Sequence, residues 1–329
     1  MAATIKDIAR QAGVSIATVS RVITGSRGVN QENREKVEAI LKDAGYKPNL
    51  AARQLVKGAD LTPSILVSLP MQVTPFFTSI IKGIRAATKT QPFNLVLEEN
   101  EPKAMEELLE LSSEGTTGVL ILSRGLSVEE KRLFKLHHIP YVLVDGKDFD
   151  SHCLHINGIY GSYQAAKYLF ELGVRKPLYI GNPIPEFGSQ RDRWIGFKAF
   201  WDEQEIFVRK ILGEVDGSSE GFMDQGYQLT RQAVEIKDEI DGIFYFCDEM
   251  AVGGLKALRE ARLGIPKIGY DGWIAGEYIG LSTMEQPAEE MGREGAQLLL
   301  DIMTGRKQNF PYTQKEYKPV LRPRNPLCR

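Results

Sequence analysis

Cysteine is scarce in this chain: three residues in 329 (Cys153, Cys247, Cys328), none in C-x-x-C spacing. That excludes a disulfide framework or a zinc ribbon and fits a reducing cytoplasm. Long apolar runs are also missing. No stretch approaches ~18 uninterrupted apolar residues, so no membrane span is expected. The opening MAATIKDIARQ has no apolar core of a secretory signal. No G-x-G-x-x-G or G-x-x-x-x-G-K-[ST] follows a strand, which leaves nucleotide chemistry without support. No G-x-S-x-G elbow or H-E-x-x-H is present, which leaves hydrolase and metalloprotease chemistry without support as well. The HCLH stretch (His152, Cys153, His155) is the one metal-like grouping. In a strand His152 and Cys153 face opposite sides, so we read it as packing, with no metal or other cofactor expected. His137 and His138 are expected to cap a helix end at the surface, and Cys153 and Cys247 to be buried as small apolar groups. A charge excess is lacking too: 41 Lys+Arg stand against 43 Asp+Glu. Evenly spread, that balance would argue against a nucleic-acid partner.

It is not evenly spread. Residues 1–60 hold ten Lys/Arg and six Asp/Glu, a net of +4, which leaves −6 on the remainder. A basic head on an acidic body suggests separate partners. Hydrophobic residues at 43% and charged residues at 26% describe an ordinary folded protein. At roughly 150 residues per domain, the length suggests about two to three domains.

In the head, Ile5, Ile8, Ala9 and Ala12 share one helical face, Gly13 permits a tight turn, and Ser15 can N-cap a second helix, IATVSRVI. Val19, Val22 and Ile23 form its apolar face. This is a helix-turn-helix pattern. A third helix from about Gln31 to Ala44 has Asn30 as N-cap and Gly45 beyond its end. The outer face of the second helix then offers Ile16, Ala17, Ser20 and Arg21 to a major groove. Arg21 suits a bidentate contact to guanine; Ile16 and Ala17 suit a thymine methyl. Ser15, Thr18 and first-turn amides suit phosphates. Next, YKPNLAARQLVKG (46–58) has Pro48, Asn49 as N-cap, an eight-residue helix, and Gly58 as a stop. So short a helix is marginal alone. Leu55, with Ala52, Arg53 and Lys57 nearby, has the make-up of a minor-groove wedge; a partly ordered linker is the alternative.

TIKDIARQAGVSIATVSRVITG and REKVEAILKDAGYKPNLAARQL resemble the lactose-repressor (LacI/GalR) family of bacterial transcription regulators. The resemblance implies that positions matching Ile16, Ala17 and Arg21 read bases, and that Leu55 inserts at the centre of a palindromic operator bound by a homodimer. Thr4, Ser15, Thr18, Ser20, Asn30, Asn49, Ala52, Arg53 and Lys57 complete the expected DNA-contacting set. The S-x-A-T-V-S-R-V variant resembles members whose operators carry a central CG step. RPRNPLCR at the C-terminus has no leucine heptads, which favours a dimer over a tetramer.

After Asp60, apolar runs at 64–70, 93–98, 118–123, 141–145, 177–181, 242–246 and 267–271 alternate with helical patterns near 77–90, 102–114, 129–137, 161–172, 190–204, 225–237, 249–262 and 289–304. This predicts an α/β fold of parallel sheets in two lobes, with a ligand at the carboxyl ends of the strands. Phe77, Ile80, Ile81 and Ile84 make a core stripe; Phe76 lies off it, facing either the crevice or the core. Asp145 and Asp271 end strands, where they can hold a ligand hydroxyl or cap a helix. Of Arg191 and Arg193, one is expected to face the crevice.

TPFF, RDRWIGF, CDEMAVGGLKAL, IGYDGW and LSTMEQP resemble the family's landmarks in order and imply a periplasmic-binding-protein-like core that senses a small molecule, a sugar or sugar derivative. On that basis Arg193 and Asp271 match effector-binding residues, Phe76 and Phe77 a lining pair, Asp145 a polar contact and Phe222 a stacking aromatic; Ser123, Cys247 and Trp273 border the same pocket. The family's polar Asn or Thr is replaced by Cys247, its second acidic residue by Gly272, its longer loop by GIPK, and its Gly-His segment by GVRKP.

The expected organisation is a helix-turn-helix headpiece over 1–46, a hinge helix and linker over 47–60, and a core over 61–329, with lobe 1 at about 61–158 and 289–329 and lobe 2 at about 159–288. The expected function is a cytoplasmic, nucleoid-associated repressor without enzymatic activity, its operator affinity set by the effector. The alternatives are a periplasmic-type solute-binding protein, or a sugar- or nucleoside-modifying enzyme with an accessory head.

Overall fold

The computed structural model describes residues 5–23, 29–43, 64–70, 74–89, 94–99, 116–185, 188–213, 221–307 and 311–324. Thr4, Asn49, Ala52, Arg53, Leu55 and Lys57 lie outside them, as do the hinge segment and the helical pattern near 102–114.

The head folds as α1 (Ile5–Ala12), α2 (Ile16–Ile23) and α3 (Gln31–Asp43). Gly13 turns the chain with φ 67°, a conformation that costs glycine little. Ile8, Ala9, Ala12, Val19, Val22 and Val37 are buried together, joined by Val14, Val29, Ile40 and Leu41. None of these helices would persist alone; the shared core holds all three.

The body has two six-stranded sheets. The first contains β1 (Ser64–Leu69), β2 (Asn94–Glu99), β3 (Thr116–Leu122), β4 (Tyr141–Val144), β5 (Cys153–Ile156) and β11 (Gln314–Tyr317), in the order β11-β5-β4-β3-β1-β2 and parallel throughout. The second contains β6 (Pro177–Gly181), β7 (Arg209–Leu212), β8 (Gly242–Tyr245), β9 (Lys267–Asp271), β10 (Ser282–Glu285) and β12 (Val320–Arg322), in the order β12-β10-β9-β8-β6-β7. Only β12 runs antiparallel among these pairings. α4 (Pro75–Thr88), α5 (Val128–Leu136) and α11 (Ala288–Met303) accompany the first sheet. α6 (Gly158–Glu171), α7 (Ser189–Glu203), α8 (Phe222–Glu235), α9 (Asp248–Glu260) and the short α10 (Ala275–Ile279) accompany the second.

Both faces of each sheet are covered, which explains the continuous apolar strands. In β1, Ile65, Val67 and Leu69 join one core with Ile80, Ile84 and Leu299, while Leu66 turns to the opposite core with Val119, Ile121 and Phe134. The second sheet divides likewise: Tyr179, Phe197, Trp201, Phe244 and Tyr270 on one side, Leu178, Ile180, Ile243 and Tyr245 on the other. Helix pairs cross at glycines. A Cβ on Gly83 of α4 would lie 1.9 Å from the Glu289 carbonyl of α11. On Gly253 of α9 it would lie 1.8 Å from the Met223 carbonyl of α8, and on Gly196 of α7 2.0 Å from the Ile159 carbonyl of α6.

Two expectations are corrected here. Phe76, not Phe77, enters the buried stripe with Ile80 and Ile84, while Phe77 stays half-buried against it. Pro75 opens the helix, and the resulting phase turns Phe76 onto the sheet. The C-terminal segment also divides: β11 extends the first sheet, but β12 pairs with β10 of the second, so lobe 1 does not run unbroken to residue 329. The strands β5, β7, β10, β11 and β12 were not predicted. They are three or four residues long, and several carry polar residues at positions that pack on an edge.

Candidate functional site

In the head, the Ser15 hydroxyl accepts from the Thr18 amide (3.1 Å) and lies 2.9 Å from the Thr18 hydroxyl, capping α2. Asn30 caps α3 by accepting from the Asn33 amide at 2.9 Å. Ile16 is 46% exposed although it is large and apolar, and Arg21 in the last turn of α2 is exposed. Val19 and Val22 point inward. The helix therefore buries one side and presents Ile16 and Arg21 on its surface, as base reading needs. The side chains of Ala17 and Ser20 lie outside the described set.

In the body, each sheet reverses its winding once, between β1 and β3 and between β6 and β8. Crevices open at the carboxyl ends beside such points. Of the six non-glycine residues with positive φ among the described residues, three sit at the carboxyl ends of strands: Ser123 (56°), Asp145 (59°) and Asp271 (123°). Such backbone costs about 1–3 kcal/mol each and persists where surrounding structure enforces it. Neither aspartate caps a helix: Asp145 leads into β5, and α10 is preceded by Ile274.

Arg193 is the arginine turned inward, only 6% exposed. Its guanidinium donates to the Phe246 carbonyl (2.6 Å) and to Asp271 Oδ1 (3.4 Å). It lies over the rings of Tyr270 and Phe246, 4.0 and 4.5 Å from their centroids. Burial works against its charge, but Asp271 beside it, with Tyr270 and Asp145, keeps it firmly protonated. Gln286 donates to the same Asp271 oxygen at 2.6 Å. In lobe 1, Ser123 donates to Asp145 Oδ2 at 2.5 Å. Burial raises the Asp145 carboxyl, while Ser123 and Arg193 pull it back down. The charge of Arg193, in lobe 2, thus reaches a lobe 1 carboxyl, without a hydrogen bond or ion pair between them among the described residues.

Phe222 opens α8 and meets the site indirectly, 6.5 Å from the Phe246 ring. Cys247 precedes α9 almost wholly buried, its thiol pushed well up by burial; it can offer a ligand little beyond contact. Trp273 is half-buried on the loop after β9.

Four participants escaped sequence reading: Phe246, Tyr270, Gln286 and Asp248. Asp248 is 1% exposed and accepts from the Gly272 (2.9 Å) and Trp273 (2.6 Å) amides, fixing the loop that follows Asp271. Gly269 makes room for it: a Cβ there would sit 2.1 Å from Asp248 Oδ1. Its position three residues after β8, facing a glycine in the neighbouring strand, was the available signal. Burial, then the charge of Asp271, pushes Asp248 up to about 8 against the opposing hydrogen bonds. Burial likewise carries Asp271 to about 7, with Arg193 and Gln286 opposing. A carboxyl raised above its unfolded value of 3.8 contributes stability that is fully present below that value and lost as pH rises through the folded one. The melting temperature of Asp248→Asn should therefore gain on that of the native chain as pH rises from about 4 to about 8. A constant difference between the two melting curves would refute this.

Among the described residues no His/Cys/Asp/Glu group can hold a metal, and no helix is long and apolar enough to cross a membrane. Cys153 is buried at the start of β5, and His137 caps α5, as expected.

Residues 4–49 match the profile "Bacterial regulatory proteins, lacI family", and residues 166–324 match "Periplasmic binding protein-like domain". The HTH-type transcriptional repressor PurR of Vibrio atlanticus is 30% identical, over 91% of each chain. A solved complex of the transcriptional regulator CelR with cellobiose is 26% identical, covering 98% of this chain and 99% of that one, with a TM-score of 0.68. A LacI family regulator from Enterococcus faecium, solved with bound ribose, is 26% identical over 80% of this chain and 98% of its own, with a TM-score of 0.69. A basic head that presents one helix and a two-lobed sensor around a buried arginine are thus united by relatives that span nearly all of both: the chain belongs to the lacI family of bacterial DNA-binding transcription regulators.

Proposed function

We propose that this regulator is a cytoplasmic repressor that binds a pseudo-palindromic operator as a homodimer, and that a small polyhydroxylated effector, a sugar or sugar derivative, binds between its lobes. The observation that carries the reading is Arg193: a buried guanidinium lying over two aromatic rings and braced on a carbonyl and a carboxylate. Vicinal hydroxyls both donate and accept, so they can engage Asp145, Asp271 and Arg193 together. The cellobiose and ribose held by the two structural relatives support the ligand class.

The chain passes between the sheets after β5, after β10 and between β11 and β12. Gln286, at the second crossing, grips Asp271. A ligand on Asp271 therefore acts at a lobe junction, a short route from effector to lobe closure and, through the head, to operator affinity. Such coupling is reciprocal: the effector changes operator affinity by the factor by which operator changes effector affinity.

A thermal-shift screen of sugars on the full chain tests this, followed by operator titration. A ligand at about 100 times its Kd adds about 2.7 kcal/mol to the stability. A sugar that raises the melting temperature yet leaves operator affinity unchanged would sink the regulatory role. On the DNA side, Arg21→Ala should cost about 1–3 kcal/mol of discrimination at the base pair it reads and leave salt-sensitive nonspecific binding in place. Unchanged selectivity in a competition assay would remove its base-reading role.

A further inference from the structure

All three passages of the chain between the lobes come to the Arg193–Asp271 pair. Tyr270, the residue before Asp271 in β9, is fully buried. The Arg193 guanidinium lies over its ring, 4.0 Å from the centroid. Its hydroxyl meets the first passage (after β5) and the third (between β11 and β12) together. A Cβ on Gly161, early in α6, would fall 2.3 Å from the Tyr270 hydroxyl oxygen and 2.8 Å from Pro319 Cγ. Those two passages are tied to one another: the Asn157 amide donates to the Tyr317 carbonyl (2.8 Å), and the Asn157 side chain donates to Glu316 (3.1 Å). The first also packs on the helix that carries the arginine, since a Cβ on Gly158 would lie 3.0 Å from Asp192 Cβ and 3.7 Å from the Arg193 backbone nitrogen. The second passage is held one residue further along β9, where the side-chain and backbone amides of Gln286 donate to Asp271 at 2.6 and 3.2 Å.

A second observation concerns the hydroxyl itself. It is buried and has no hydrogen-bond partner among the described residues, although most buried side-chain polar atoms in folded proteins are matched. Phenylalanine would fill the same space without that penalty. An unmatched hydroxyl disfavours the arrangement that leaves it so by about tenfold. Beside it stands a residue whose backbone can only accept: Pro319 has no N–H, so it can meet the phenol through its carbonyl alone.

We propose that Tyr270 is the positioning residue that couples the effector to the angle between the lobes, its hydroxyl unmatched in this arrangement and bonded to a carbonyl of the first or third passage in another. This rests on the interlobe reading above. A ligand that draws on Arg193 or Asp271 moves the guanidinium on the ring face and the backbone next to it, and the rigid ring carries that displacement to both passages. Two arrangements that differ by one hydrogen bond make a bistable element, which a small shift can switch. The hydroxyl acts through Arg193 and Asp271 and needs no contact with the ligand.

The test is Tyr270→Phe in the full chain, with Tyr179→Phe as its control. Tyr179 is fully buried in the same core and its hydroxyl is likewise unmatched, but it stands on β6. A panel of sugars that includes cellobiose and ribose is titrated by calorimetry. Binding to a DNA duplex selected by the native chain is read by anisotropy, with and without each sugar at saturation. Both variants should melt about 2–4 °C above the native chain. Tyr270→Phe alone should change the coupling: the sugar still binds, but the factor by which it alters DNA affinity falls about tenfold or to one. A melting temperature lowered by Tyr270→Phe would show that the hydroxyl is already matched and overturn the proposal. So would a coupling factor equal to or larger than that of the native chain, or one that Tyr179→Phe reduces as far. If no sugar in the panel alters DNA binding by the native chain, the interlobe reading falls and this proposal with it. If the sugars act on the native chain and on Tyr270→Phe alike, the proposal falls and the interlobe reading stands.

Discussion

Arg193→Met should abolish the effector response while operator binding persists. The side chain is buried, its guanidinium bridges the Phe246 carbonyl and Asp271, and two aromatic rings enclose it. Removing one partner of such a pair leaves a carbonyl unmatched and a carboxylate without its counter-cation. That costs about 3–5 kcal/mol of stability, and losing a charged hydrogen-bond donor at the ligand should weaken effector binding about ten- to a hundredfold. Part of the loss will appear as reduced stability, so the double variant Arg193→Met/Asp271→Asn separates the effects. Asn tolerates positive φ, and it keeps an acceptor for Gln286. Without a stranded charge the double variant should regain most of the stability yet stay blind to the effector, since replacing both members of a buried pair is often close to neutral. Calorimetric titration and operator binding by fluorescence anisotropy read the two outcomes. A double variant that responds normally would show that the pair is structural only.

Gly253→Ala should destabilise lobe 2 by about 3 kcal/mol, lowering its melting temperature by roughly 6–12 °C. The added methyl would sit 1.8 Å from the Met223 carbonyl of α8, and 2.9 Å from the Tyr227 amide. Gly226 makes the reciprocal approach, 2.0 Å from the Met250 carbonyl. These neighbours are backbone, which cannot rotate aside, so α8 and α9 must separate. The same separation would disturb the first turn of α9, where Asp248 holds the loop that follows Asp271. Far-UV thermal melts test the cost; a shift under about 2 °C would mean that the helices slide apart freely.

The head was fully legible up to Asp43, because a helix-turn-helix is local: Gly13, Ser15 and Asn30 act on residues within four positions of themselves. The central strands were legible for a related reason, since a strand covered on both faces is apolar along its whole length, as in Ile65–Leu69 and Leu178–Ile180. The edges were not. β12 is Val320–Arg322, with two of its three residues exposed, and nothing in three such residues tells which lobe they join.

The site was half legible. Asp145, Asp271 and Arg193 stand out as charged residues at strand ends and near the start of a helix. Choosing Arg193 over Arg191 required the helix phase. A two-residue step turns a side chain by about 200°, and only the packing of Gly196, Phe197 and Trp201 on the sheet decides which arginine goes inward. Asp248 and Gln286 were invisible for a different reason. Their roles depend on partners 24 and 15 residues away, in the loop after β9 and at its last residue.

What the sequence determined by itself was the division of labour: a head at +4 and a body at −6, hidden in a total of −2, and the alternating pattern that makes the body a doubly wound sensor. What the tertiary structure alone decided was the balance of charge within the cleft. Net charge adds along the chain, whereas pairing depends on distance. Arg193 is paired with Asp271 across 78 residues of sequence, and two backbone amides converge on one oxygen of Asp248.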